Sequence, residues 1–170
     1  MSTLRPVPLT RENFAPYGDV LSVEGSDHVV INRGYAQKHY NLCDMDCNDF
    51  GGVATLHLYI GKARSFPLKI DMMEKHPHFT QTFMPRSAEP FLVVVALGDK
   101  TPDLQTLAVF KTDGSQGVQY KKGIWHFPLI ALNSGEQFIV IDRNDRGSEA
   151  NKIEECIETA IDETIEILKD

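Results

Sequence analysis

The sequence predicts a mainly β protein: an antiparallel barrel or sandwich over residues 1–147, then an amphipathic helix over residues 148–170. Three observations carry this. Period-two hydrophobic alternation dominates the body, turn signals punctuate it at near-regular intervals, and the period lengthens to three or four residues in the tail. A chain of 170 residues suits one domain. At that size roughly 70% of the unfolded surface is buried on folding, so neither a disulfide nor a metal is needed to fold.

Taken in order, residues 9–17 predict one short helix, capped by Thr10 with Glu12 or Asn13 in its first turn and ended by Pro16. In Val53–Ile60, Ala54, Leu56, Leu58 and Ile60 alternate with Thr55, His57 and Tyr59, which reads as a half-buried strand. Further strands are predicted at 79–84, 91–97, 104–110, Gly117–Tyr120, 124–132 and 137–142. Gly51-Gly52, Gly98-Asp99, Asp113-Gly114, Lys122-Gly123 and Ser134-Gly135 supply the turns. In the tail, Ile153, Ile157, Ile161, Ile165 and Leu168 recur at helical spacing, and Asn151 with Glu154 has the spacing of a capping box.

The net charge of −7 lies mostly in that tail, where residues 148–170 hold eight acids and two bases. The body is nearly neutral and has no basic stripe, so the electrostatic footprint of a nucleic-acid binder is missing. No apolar stretch approaches the ~20 residues of a membrane span, and the N-terminus has no signal-peptide core. Three cysteines, Cys43, Cys47 and Cys156, fit a reducing cytoplasm better than a disulfide scaffold.

The chemistry concentrates in Glu74-Lys75-His76-Pro77-His78-Phe79-Thr80-Gln81 and Gly123-Ile124-Trp125-His126. On a strand, His76 and His78 share a face, where two imidazoles can hold a divalent metal, or one can bind while the other acts as base. His126 follows a turn glycine and precedes Pro128, which places it at the start of a strand; Trp125 then points to the other face. His76, His78 and His126 are the candidate metal ligands. His57 and His28, isolated in strands, are read as structural. Asp142-Arg143 ends the last strand of the body, as a structural ion pair or with Arg143 gripping a carboxylate. The HxH and GxxH spacing partly resembles that of cupins, with Gln81 where a cupin glutamate belongs. His76 and Gln81 differ by an odd number, so their convergence requires a bulge near Phe79.

These segments together resemble the ureidoglycolate lyase family. The pattern E-x-H-P-x-x-[ST]-Q-x-F-x-P is met by Glu74, His76, Pro77, Thr80, Gln81, Phe83 and Pro85. The likeness includes Phe14-x-x-Tyr17-Gly18-Asp19-Val20, Ile31-Asn32-x-Gly34, Gln116-Gly117-Val118-x-Tyr120, Trp125-His126-x-Pro128 and Asp142-Arg143. Phe79 stands where relatives often carry Gly, and the acidic segment after Gly147 is outside the pattern. The resemblance implies a cupin-like β-barrel, commonly a homodimer, that converts (S)-ureidoglycolate to glyoxylate and urea in allantoin breakdown. It also implies a divalent metal, nickel, and no organic cofactor.

Such an elimination needs a base, an acid and a grip on a carboxylate. His76 and His126 are assigned to the hydroxyl side and Gln81 to the ureido group. Arg143, Asn32 and Trp125 are the candidate substrate-binding residues. Two other readings stand beside this one: a metal-dependent cupin isomerase or dioxygenase, and a non-catalytic cupin that binds a small carboxylate.

Overall fold

A computed structural model describes residues 2–145 and 153–170. Among the described residues the fold is mainly β, with one short α-helix, Arg11–Phe14, where the sequence places it. Thr10 caps it and exchanges hydrogen bonds with Asn13 in a capping box.

Two sheets face each other across one core, and they stay separate sheets instead of closing into the expected barrel. The larger runs in the order Ile157–Ala160, Met72–Lys75, Trp125–His126, Phe91–Ala96, Ala108–Lys111, Val7–Pro8. The other runs Gly18–Leu21, Gly117–Tyr120, Gln81–Pro85, Gln137–Asn144, Val53–Ile60. Between them pack Phe91, Val93, Val95 and Phe110 from one side and Phe83, Val118, Phe138 and Val140 from the other. The odd–even split in Phe91–Ala96 follows from the two-residue pleat. Leu92, Val94 and Ala96 point the other way, into a second core with Met73, Trp125, Ile161, Ile165 and Ile167. A small three-stranded sheet (Ser2–Leu4, Ile165–Ile167, Leu68–Lys69) roofs that second core.

Two expectations are corrected here. The tail from residue 153 onward is not a helix. It forms the strands Ile157–Ala160 and Ile165–Ile167, paired with Met72–Lys75, Leu68–Lys69 and Ser2–Leu4. An isoleucine spacing of four is a multiple of two as well as near 3.6, so it serves a strand equally, and the β-branched Ile and Thr residues favour one. Asn151 lies outside the described residues.

The second correction concerns Val53–Ile60. Its pairing with Gln137–Asn144 puts Thr55, His57 and Tyr59 on the face shared with Asp142, Val140 and Phe138, which looks into the core. Leu56, Leu58 and Ile60 point outward and are 59%, 60% and 74% exposed. Alternation correctly marks two faces but does not say which one the fold covers. The predicted 124–132 strand is two short pieces, Trp125–His126 and Ile130–Ala131, because Pro128 interrupts the ladder.

Candidate active site

Register carries the site. Val95 pairs with His126, and His126 with Glu74, so these residues form a cross-strand row. On the opposing sheet Tyr120 pairs with Gln81, and Asp142 follows the Ile141–Thr82 pair on the adjoining strand. Glu74, His76, Gln81, Tyr120, His126 and Asp142 together line a pocket of about 580 Å³. Apolar core gives way to polar side chains at this end of the two sheets.

The parity problem between His76 and Gln81 is resolved by a crossover. The chain leaves the larger sheet after Lys75 and joins the other sheet at Gln81, so the two residues sit on different sheets and meet across the pocket. The turn at Pro77-His78 takes His78 off the face of His76. Its Nδ1 lies 3.9 Å from an Asp49 oxygen and its ring stands edge-on to Phe50.

The two pocket histidines are fixed by the same device. His76 Nδ1 donates to the Glu155 carbonyl at 3.0 Å, and His126 Nδ1 donates to the Ile124 carbonyl at 3.0 Å. A carbonyl only accepts, so each neutral ring carries its proton on Nδ1 and presents a bare Nε2 lone pair. Among the described residues, both Nε2 atoms are buried and lack a hydrogen-bond partner. The rings lie 5.1 Å apart, with His76 stacked on Phe79 and His126 stacked on Tyr120. Glu74 Oε1 is 3.5 Å from His126 Nε2.

Burial lowers the pKa of His76, and the neighbouring His126 lowers it further. Burial pushes the Glu74 carboxyl up, but contact with His126 outweighs this and holds it below its ordinary value. The floor therefore sets the Glu74 carboxylate beside the His76 and His126 imidazoles, and burial favours the neutral form of His76. Glu74, His76 and His126 each offer a ligand atom within 4.8 Å of the others. This donor set, with each histidine anchored through its other nitrogen, fits a divalent cation.

The walls are polar. Gln81 donates from Nε2 to Asp142 Oδ2 at 3.4 Å, and its buried Oε1 has no partner among the described residues. His57 Nε2 lies 3.1 Å from Asp142 Oδ1. At the mouth, Lys62 and Arg64 bring positive charge, with the Arg64 guanidinium 5.4 Å from the Phe127 ring centroid.

A sequence comparison now decides the family. The pattern described as ureidoglycolate lyase matches residues 1–167. The chain belongs to the ureidoglycolate lyase family. The protein named ureidoglycolate lyase in Burkholderia mallei is 42% identical over 153 residues, covering 89% of each chain. Its namesakes in Pseudomonas paraeruginosa and Pseudomonas syringae pv. tomato are 39% and 36% identical and cover a similar share.

Within this member of the ureidoglycolate lyase family, the structure brings together His76, Gln81 and His126 but not the other candidates. Arg143 does not line the pocket; its buried guanidinium gives Nη1 to Glu155 and Nε to the Asp49 carbonyl. Trp125 is fully buried in the second core beneath the Lys75 ammonium, 4.7 Å from its ring. Asn32 sits in the turn of the exposed hairpin His28–Ile31/Ala36–His39, with a positive φ of 53°.

Four pocket residues were missed as site residues. Glu74 was visible in the E-x-H-P motif as a residue two before His76, hence on its face if the strand continued. Asp142 was visible beside Arg143, as the member of that pair with opposite parity. Lys62 and Arg64 carry no local signal beyond a basic loop, because only the Gly61 turn back over the pocket gives them meaning.

Proposed function

We propose that this chain is a cytoplasmic ureidoglycolate lyase that cleaves (S)-ureidoglycolate to glyoxylate and urea. The observation that carries the reading is the pair of buried, unpartnered Nε2 atoms of His76 and His126 beside the Glu74 carboxylate. In the reaction the hydroxyl loses its proton, its carbon–oxygen bond becomes the aldehyde carbonyl of glyoxylate, and the carbon–nitrogen bond breaks. The departing nitrogen takes a proton to complete urea, so the step is redox-neutral.

The pocket divides these tasks. The carboxylate meets Lys62 and Arg64 at the mouth. The ureido N–H groups donate to Gln81 Oε1 and the Asp142 carboxylate, two acceptors on one wall. The hydroxyl faces the floor. Glu74, His76 and His126 are the ligands we assign to a divalent cation, nickel by family likeness; such an ion would act as a Lewis acid toward the hydroxyl. Without a cation, one Nε2 lone pair accepts the hydroxyl proton directly.

The scaffold is read as cupin-like, with donors supplied by paired strands of one sheet. Glu74 also completes the two-histidine, one-carboxylate set that a metal-dependent isomerase or dioxygenase requires. Assaying urea and glyoxylate together, with and without a chelator, separates these readings. Equimolar release supports the lyase; absence of urea at any cation loading refutes it.

A second copy is the proposed partner. The apolar row Leu56, Leu58 and Ile60 lies on an edge strand whose eight residues include no Lys, Asp or Glu to guard it. The run 91–97 and the tail bury each other within one chain and, among the described residues, leave no apolar face there for a second copy. The homodimer is therefore assigned to the Val53–Ile60 edge.

A further inference from the structure

The segment starting at residue 153 lies beyond the motifs legible in the sequence, but the family match runs through it to residue 167, and it reaches the floor of the pocket. The Glu155 main-chain carbonyl accepts the His76 Nδ1 proton at 3.0 Å. The Glu155 carboxylate is ion-paired with Arg143. Arg143 is 4% exposed, and its Nε donates to the Asp49 carbonyl at 3.1 Å. A Cβ at Gly52 would collide with the guanidinium, so the glycine leaves room for it. Arg143 thus ties three segments, around residues 49, 143 and 155, at one buried point.

We propose that Arg143 and Glu155 are positioning residues for the pocket: the pair holds the Glu155 carbonyl against His76 and so fixes the tautomer that turns Nε2 toward Glu74 and His126. An imidazole free of this carbonyl can carry its proton on either nitrogen and can rotate. With the proton on Nε2 the floor loses one of its lone pairs. Phe79 holds the ring plane by stacking, which sets its tilt but not its tautomer. Among the described residues, the Glu155 carbonyl is the group that sets the latter. A histidine that binds a cation gains affinity from such an anchor on its other nitrogen.

This inference rests on the reading of the floor as the reactive centre, but its readouts need no substrate. The full chain with ¹⁵N-labelled histidine is compared with Arg143→Met and Glu155→Ala by long-range ¹⁵N–¹H correlation. The His76 pattern in the wild type should be that of an Nδ1–H ring. In either variant it should shift to a mixed or Nε2–H pattern, while His126 keeps its own. Nickel(II) titration should show an affinity loss of about 10-fold or more in the variants. Arg143→Lys, which keeps a cation near Glu155, should recover part of both. Should Arg143→Met not fold, Glu155→Ala removes the same pair from its half-exposed side. An unchanged His76 tautomer in a folded variant overturns the proposal, as does a wild-type His76 protonated on Nε2. Absence of urea release by the wild type would refute the lyase reading and leave the tautomer result standing.

Discussion

The floor and the mouth of the pocket are built by opposite rules. On the floor, Glu74, His76 and His126 sit on or beside paired strands, their rings stacked on Phe79 and Tyr120 and their Nδ1 protons given to main-chain carbonyls. At the mouth, Lys62 and Arg64 project from a loop whose backbone is tied down while their side chains lie exposed. Desolvation makes the floor's lone pairs potent and costly to leave without a partner. Solvent screening makes the mouth's charges cheap to keep and weak one at a time. The first arrangement suits bond-breaking and the second suits capture, so substitutions in the two regions should differ in kind.

The largest effect is expected at Glu74. Glu74→Gln keeps the shape, removes the charge, and should lower turnover by about 10²-fold or more while also weakening cation binding about 10-fold or more. Parallel kinetics and metal analysis check this; a variant with wild-type turnover would remove Glu74 from the floor.

Next comes the wall. Asp142→Asn should raise KM for ureidoglycolate by about 10-fold, the scale of one charge-assisted hydrogen bond. It should also relieve product inhibition by urea while inhibition by glyoxylate is unchanged. Equal loss of both inhibitions would place Asp142 in the folding of the pocket and not in its recognition of the ureido end.

Arg64→Ala is expected to do less. KM should rise about three- to five-fold, kcat should hold, and the difference should shrink in high salt. A kcat loss as large as that of Glu74→Gln would abolish the distinction between mouth and floor. Smallest in catalysis is Leu58→Ser on the outer face of Val53–Ile60. It should shift sedimentation from the dimer toward the 19.1 kDa monomer with turnover per chain within about two-fold of wild type. An unchanged dimer places the interface elsewhere.

Much of the pocket was legible in the sequence, because His76 and Gln81 fall in one twelve-residue pattern, which also holds the overlooked Glu74, and His126 follows a turn glycine. Gly123 indeed adopts a φ of 74°, and its N–H donates to the His76 carbonyl at 2.8 Å, which joins the two motif segments directly. The Thr10 cap and the doubly buried 91–97 run were legible for similarly local reasons. What the sequence hid was non-local. The side on which Leu56 and Leu58 lie depends on which sheet covers Val53–Ile60, and the fate of Arg143 depends on Glu155 returning from the tail. The tail itself misled because spacing by four satisfies two periods, and only the Ile165/Ile167 pair breaks the tie.

The central claim is that the buried lone pairs of His76 and His126 are the reactive floor of a ureidoglycolate lyase. It is tested most directly by urea release from (S)-ureidoglycolate with His126→Asn, measured beside its melting temperature on one preparation. Asn nearly keeps the polarity of the site but cannot present the Nε2 lone pair. The account predicts a folded protein whose turnover falls about 10²-fold or more below that of the wild type. A folded variant releasing urea at the wild-type rate, or a loss explained entirely by a lowered melting temperature, would contradict it.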